Sequence, residues 1–583
     1  MTIKKYTANK DNTIVNAFKP NLRTRGTGAN MGRADILETF SIYGRQTTSS
    51  QELSRILIRF PVGDIITDRT NEDIPASGSV SFYLRMYSAE HSKTVPRDYT
   101  LTVLAVSQSW QEGVGLDLEG YKDLTAGHVG SNWMSASKTT YWTDINDTLL
   151  AGGSYHTGGT NADVDTEIHT FTQTFSTGLE DLELDITPLV EQWIAGTYSN
   201  YGVGIHLSAS YEAYESGSAD TVTSRVPGQL ALDADDTTQS VIYNPSGSTT
   251  SYYTKRFFAR GTEYFFKKPS IEARWNSSIG DDRGNFFFSS SLASAAKNLN
   301  TIYFYNYIDG QLSDIPAAHA GTFDKKVYVS IYSGSTGGFY SDQGGGDGND
   351  IGPTDIRLSG GPDAGEGTGS IQILSVDDVG HVRSSFQTVV TGGIVSTGIY
   401  SASFAFTGAS LLDHVYDVWY TGSDTTTNAN DALIQFFTGA IECHTLRAQN
   451  RVTRPSYYMS ITNLKDKYRA NENARFNLYV RDKNWEPTVY TGANTSPPAL
   501  NIISASYRVY RTLDAYDAIP YGTGSDLQTL MSYDVSGNYF DLDMNLLESG
   551  YEYAFKFSFY DNGLNSWVEQ PDVFRFRVED YEY

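Results

Sequence analysis

Between Tyr551 and Phe559 every second residue is aromatic: Tyr551, Tyr553, Phe555, Phe557 and Phe559 alternate with Glu552, Ala554, Lys556 and Ser558. Side chains of a strand point alternately to its two faces, so this run lines one face with rings and must be buried against a second layer. Further on, Phe574, Phe576 and Val578 alternate with Arg575, Arg577 and Glu579, and Asp561-Asn562-Gly563 supplies a turn between the two runs. Upstream, Phe476, Leu478 and Val480 repeat the pattern. Residues 455–583 are therefore predicted to be a self-contained sandwich of immunoglobulin size.

The same logic holds along the chain. Its apolar inventory is dominated by 41 Tyr and 28 Phe, with 53 Gly for turns and a single Cys in 583 residues. Aromatic strand faces closed by glycine turns, without disulfides, define an all-β protein. At roughly 100–200 residues per domain, the length predicts three or four domains, each large enough for its own core.

Near the start, Ile56, Ile58 and Phe60 share one face of a strand with Arg55 and Arg59 opposite. Val80, Phe82, Leu84 and Met86 repeat this, with Ser81, Tyr83 and Arg85 opposite, and the two read as neighbouring antiparallel strands. Thr187 to Gly196 is different. Thr187 stands in a capping position, Pro188 at the first helical residue and Gly196 just past the end, and Leu189, Val190, Trp193 and Ile194 fall on one face. This predicts a short helix anchored into the core by Trp193.

In the second half, Val327, Val329 and Ile331 alternate with Tyr328, Ser330 and Tyr332. Gly398-Ile399-Tyr400 then leads Ser401 to Phe406, and Tyr416 to Tyr420 follows. Gly537-Asn538-Tyr539 before Tyr551 to Phe559 has the same order, which reads as an internal repeat of two Ig-like domains. The glycine-rich stretch from Gly334 to Gly369 reads as a long loop within the first of them. In it, Gly345-Gly346-Asp347-Gly348-Asn349-Asp350 fits the first six positions of a calcium-binding β-roll repeat, making Asp347 and Asp350 calcium candidates. A single copy lacks the stacked coil that completes such a site, and Gly352 stands where the repeat places a large apolar residue.

A net charge of -25 repels a phosphate backbone, so nucleic-acid binding is disfavoured. No stretch approaches the ~20 apolar residues that span a bilayer, and the first residues lack the apolar core of a signal peptide. The lone Cys443 has no partner for an intrachain disulfide, and cytosolic synthesis is expected.

Residues 1–275 carry a series of short motifs in order. They are Asp11-Asn12-Thr13-Ile14-Val15, Asn30-Met31-Gly32, Ser54 to Phe60, Ser109-Trp110-Gln111-Glu112-Gly113, Asn132-Trp133 with Tyr141-Trp142, and Asp185-Ile186-Thr187. Asn200 to Ile205 and Lys268 to Trp275 complete the series. This stretch resembles the DNRLRE family of β-sandwich modules. Asp117 to Asn132 and Glu212 to Ser251 are longer than a compact module needs, so loop functions do not carry across. Asp281-Asp282-Arg283-Gly284, Asn298 and Tyr303 to Asn306 are similar to a connector in large structural proteins of tailed marine phages, where Ig-like domains follow.

The expected fold is thus all-β and multi-domain: an N-terminal jelly-roll-like antiparallel sandwich (1–275), a connector (276–318), an Ig-like domain with a glycine-rich insertion (319–450) and a C-terminal Ig-like domain (455–583). The resemblance implies a virion protein made in the host cytoplasm, a neck, tail or baseplate component. Its partners would be other virion proteins, further copies of itself, or a host-surface glycan. The alternative is a surface or secreted carbohydrate-binding adhesion protein.

Little in the residues suggests catalysis. Glu112, Asp117, Glu119 and Asp123 form an acidic cluster of the kind that holds a cation or supplies an acid and base pair, against which stands an ordinary solvated loop. The nine histidines make no H-E-x-x-H, and Cys443 and His444 would point to opposite faces of a strand. No nucleophile elbow or phosphate loop occurs, so no catalytic residue and no cofactor is assigned. Tyr303, Tyr305 and Tyr307, or Tyr551 and Tyr553, are candidates for sugar stacking or a protein interface, although most aromatics at strand spacing are core.

Overall fold

Among the described residues the alternating segments form strands that pair antiparallel in all but two ladders. The computed structural model describes residues 2–19, 25–44, 50–91, 95–116, 130–144, 146–156, 169–215, 241–287, 299–316, 326–333, 357–359, 371–375, 390–408, 414–421, 434–444, 456–483, 485, 499–522, 526–561 and 563–580. They divide into two compact units. One is Met1–Asn276 with Gly522–Gln528 and Asn545–Glu548; the other is Ser277–Tyr521 with Thr529–Met544 and Ser549–Tyr583.

The first unit holds two sheets. One has the order β1 (Ile3–Thr7), β11 (Ser270–Arg274), β5 (Ser81–Met86), β8 (Leu182–Asp185). The other runs β10 (Tyr252–Phe258), β3 (Ile36–Gly44), β4 (Ser50–Arg59), β9 (Val203–Leu207), β6 (Tyr99–Ala105), β7 (Thr170–Phe175), with β2 (Lys10–Val15) also on β4. Ile56, Ile58 and Phe60 from one sheet and Phe82, Leu84 and Met86 from the other share one core with Trp193. Each such side chain contributes about 1.5–3 kcal/mol on burial.

Two expectations change here. The segments around Ile56 and Phe82 do not pair; β4 and β5 lie in different sheets, and their apolar faces meet in the same core. Alternation reveals which face is buried but not which strand lies alongside. Between them is a helix, α1 (Val62–Thr70), which buries Val62 and Ile65. Gly63 and the acidic residues Asp64 and Asp68 masked its pattern. The expected helix, α2 (Thr187–Ala195), is present with Trp193 buried, and Gly196 ends it in the left-handed conformation at φ 73°. Thr187 does not cap it, however: its hydroxyl donates to Asp185 Oδ1 at 2.6 Å and accepts from the Phe82 amide at 2.7 Å. Arg69 of α1 grips Glu191 of α2 with two bonds of 2.6 and 2.7 Å.

The second unit contains two Ig-like domains. In the C-terminal one, β23 (Tyr457–Ile461), β25 (Asn473–Asp482), β29 (Gly537–Asp543) and β28 (Ser532–Asp534) form one sheet. The other is β24 (Lys467–Arg469), β32 (Phe574–Glu579), β30 (Glu552–Asp561), β26 (Ala505–Arg511), β27 (Asp517–Ile519), with β31 (Ser566–Glu569) on β30. In chain order these are the immunoglobulin strands A-B-E-D and A′-G-F-C-C′, with A′ parallel to G. An antibody domain ties strands B and F by a disulfide. Here Phe476 of β25 and Phe555 of β30 meet edge to face at 4.7 Å, and Phe576 stacks on Phe555 at 4.6 Å.

The preceding Ig-like domain repeats the A′-G-F-C and D-E-B sequences of neighbours, but β16 bonds to β19 as well as to β21, so its strands form one nine-stranded sheet. Its strands run β13 (Asn300–Tyr305), β20 (Ile399–Gly408), β19 (Val390–Ser396), β16 (Lys326–Ser333), β21 (His414–Thr421), β22 (Ile434–His444), β12 (Phe286–Phe287), with β17 (Arg357–Ser359) on β16 and β18 (Ile371–Ser375) on β20. A small hairpin, β14 (Tyr307–Ile308) and β15 (Gln311–Leu312), follows β13. Again the first strand runs parallel to the last, β12 to β22. Gly398 and Gly537 each precede or begin the E-type strand, which is the structural content of the repeat. The expected connector 276–318 is corrected: it supplies β12 and β13, whose Phe286, Ile302 and Phe304 are core residues of this domain. Arg357–Ser359, inside the expected loop, is a strand paired with β16. Asp347 and Asp350 lie outside the described residues.

Candidate functional site

The motif Asp281-Asp282-Arg283-Gly284 occupies the best-built polar site of the second unit, where the two Ig-like domains meet. Just ahead of β12 the chain adds to the free edge of β28: Gly280 pairs with Tyr533 in a parallel bridge. Tyr533 N donates to Ile279 O and Asp281 N to Tyr533 O, both at 2.9 Å, and Ile279 N donates to Ser532 Oγ at 2.9 Å. An edge strand presents unpaired amides and carbonyls, so this segment both covers an edge and binds the C-terminal domain.

The next residues turn to the other domain. Asp282 accepts from the Thr301 amide of β13 at 2.7 Å and from the Tyr533 hydroxyl of β28 at 2.8 Å, so one carboxylate spans both domains. Arg283 makes a two-pronged pair with Asp417 of β21, at 2.5 and 2.6 Å, and donates to Tyr303 O at 3.3 Å. Asp417 also accepts from Trp419 Nε1 at 2.6 Å and is fully buried. Charges removed from water this far are tolerated only when paired and hydrogen-bonded throughout, which fixes the geometry of the clasp. Burial pushes the Asp281 carboxyl up to about 6, offset in part by Arg283.

The tyrosines singled out in the sequence divide. Tyr553 is core, Tyr303, Tyr305 and Tyr551 are half-buried, and Tyr307 is exposed. The better aromatic candidate is one the sequence reading missed. Trp567 of β31 is 46% exposed and packs edge to face on Tyr560, directly opposite it in the β30–β31 hairpin, at 5.6 Å. Leu564 and Val568 are exposed beside it. Its neighbour Glu569 is engaged by Lys556 at 2.8 Å and Arg508 at 3.4 Å. No alternation marks Trp567, because every residue of β31 is exposed.

In the first unit the motifs around Asn12, Asn30, Trp110, Trp133 and Trp142 converge on the outer face of the larger sheet. Trp110, Trp133 and Trp142 form a second core with Ile14, Leu53 and Leu57. Asparagines fill the gaps: Asn12 donates to Ser131, Asn30 to Glu112 O and Ser131 O, and Asn132 Oδ1 accepts from the amides of Met134 and Ser135. Gly113, at φ 89°, lies so close to Asn30 that a Cβ there would come within 2.3 Å of its amide oxygen. Arg55 is buried against Glu212, with three bonds of 3.0–3.2 Å, and donates to Gly152 O.

The acidic candidate resolves into a brace. Glu112 accepts from Arg260 at 2.8 Å and from the Asp11 amide at 3.0 Å, while Asp11 accepts from the Arg260 amide at 2.5 Å. Glu112 is thus neither a solvated loop carboxylate nor an open acid; Asp117, Glu119 and Asp123 lie outside the described residues. Burial raises the Asp11 carboxyl to about 6, and it is almost wholly enclosed. Cys443 lies against the first Ig-like core. Among the described residues no group of three or more His, Cys, Asp or Glu converges as a metal site, and no helix is long and apolar enough to cross a membrane.

No family model and no curated protein matches the chain. Among solved structures, a chimeric titin Z1Z2-Z1Z2 tandem carrying an exogenous fibronectin peptide is similar at 10% identity, covering 36% of this chain and 84% of that one, with a TM-score of 0.13. The IG1+IG2 portion of DIP-gamma matches at 11% identity over 37% of this chain and 85% of its own, with a TM-score of 0.10. A DUF4785 family protein of Legionella pneumophila matches at 9% identity over 98% and 92%, with a TM-score of 0.12. Neither fold nor function transfers at such scores; the Ig-like assignment rests on strand order.

Proposed function

We propose that the chain is a non-enzymatic structural protein of a tailed-phage particle, a neck, tail or baseplate component that works through protein contacts. The clasp carries this reading. The residues that resemble a phage-protein connector are spent on fastening one Ig-like domain to the next, with a carboxylate shared between them and an arginine locked inside one. Such a joint resists bending and supplies no reactive group to solvent. The other strong charge pairs are likewise consumed internally, Arg55 by Glu212 and Arg274 by Glu272. Stable docking on such a protein buries at least about 1,000 Å², with aromatic residues at its centre.

Mass spectrometry of purified particles from the source tests this directly: the chain is expected at a fixed stoichiometry, and its absence from intact particles overturns the proposal. The exposed Trp567 hairpin favours a second reading, a surface or secreted adhesion protein that binds carbohydrate, since an indole face is the usual platform for a sugar ring. Glycan-array binding lost in Trp567→Ser, by a protein absent from particles, supports that reading instead.

A further inference from the structure

We infer that His156 and His169 form a two-ligand site for a divalent transition-metal ion such as Zn²⁺, Ni²⁺ or Cu²⁺. Thirteen positions separate them in sequence, and the sheet brings them together. Along one edge of β6, Leu104 pairs with Thr170 at the start of β7, and Val106 then pairs with Tyr155. The His156 amide donates to Ala105 O at 2.9 Å. The two histidines therefore sit where two segments meet end to end on the same strand edge, His156 bonded to Ala105 and His169 next to Thr170, the first paired residue of β7.

The separation of the rings fits a shared ion. Their centroids lie 5.2 Å apart with planes inclined at 35°. A metal–nitrogen bond of ~2.0–2.1 Å puts an ion about 3.2 Å from each imidazole centroid, and a tetrahedral angle at the ion then separates the centroids by about 5 Å. Tyr198, just past the end of α2, meets His169 edge to face at 4.7 Å and His156 at 5.3 Å, so one ring packs against both histidines. His169 is buried and His156 half-buried, and water would complete the coordination of an ion held between them. Imidazole ligands suit zinc, copper and nickel, whereas calcium and magnesium prefer oxygen.

The test uses the full chain, dialysed against chelator and then titrated by calorimetry with Zn²⁺, Ni²⁺ and Cu²⁺, with Mg²⁺ and Ca²⁺ as controls. One strong equivalent is expected, weakened about tenfold or more in His156→Gln. Bound Cu²⁺ should show coupling to two nitrogens in its paramagnetic resonance spectrum. Protons compete for imidazole, so affinity should fall on going from pH 7.5 to pH 5. Absence of binding, unchanged affinity in a folded His156→Gln, or full affinity at pH 5 overturns the site. If His169→Gln does not fold, the resonance and pH measurements on the native chain decide by themselves.

Discussion

Replacing Asp417 by Asn tests whether the clasp is held by a buried charge pair. The substitution keeps the shape and leaves an oxygen to accept from Trp419, but removes the charge facing Arg283. The exposures decide which scale applies: the Asp417 side chain is 0% and that of Arg283 14% accessible. A surface pair would be worth about 0–1 kcal/mol, whereas stranding one member of a buried pair costs about 3–5 kcal/mol. With a urea dependence of about 2–3 kcal/mol per molar, the midpoint of the transition should fall by roughly 1–2 M. Urea titration followed by tryptophan fluorescence reads this. The double variant Arg283→Met with Asp417→Leu should recover most of the loss, because an apolar pair of similar volume carries no desolvation penalty. A single variant within about 1 kcal/mol of the native protein, or a double variant no better than the single, would refute the argument.

Burial raises Asp281 from an ordinary 3.8 to about 6, so its contribution to stability is fully present below about pH 4 and is lost as pH rises through 6. The difference is on the order of 3 kcal/mol, and Asp281→Asn should flatten the pH dependence of melting between pH 4 and 6. Glu272 is held at about 2 with Lys5 and Arg274 beside it, so its stabilisation is present above its ordinary 4.5 and is lost as pH falls towards 2. Phe476→Ala, which empties the centre of the C-terminal aromatic cluster, should cost about 3–5 kcal/mol by urea titration. Residues 455–583 expressed alone should melt cooperatively, because both sheets of that sandwich come from within the segment; a disordered circular dichroism spectrum would count against it.

Much of the fold was legible because strand alternation is a local property. Ile56, Ile58, Phe60, Phe82 and Trp193 were assigned to a core from spacing alone, and all five lie in one. Phe555, Phe557 and Phe559 likewise fill the core of the C-terminal sandwich. Pairing is not local. Nothing in the segments around Ile56 and Phe82 distinguishes neighbours within a sheet from partners across a core, and only the chain's path through α1 separates them.

The sites show the same division. Asp281 to Gly284 stood out in the sequence as a motif, but its work depends on Thr301, Asp417 and Tyr533, which lie as much as 251 positions away. Glu112 read as one of a row of acids until Arg260, 148 positions on, was placed against it. His156 and His169 showed no ligand spacing because a strand edge, not a helical turn, brings them together. By itself the sequence determined that this chain is built of aromatic-faced strands in separate sandwiches, since the period of burial is written into consecutive residues. Which charges neutralise one another, and which ring is left in solvent, was decided only by tertiary structure, because those relations join residues that the chain keeps far apart.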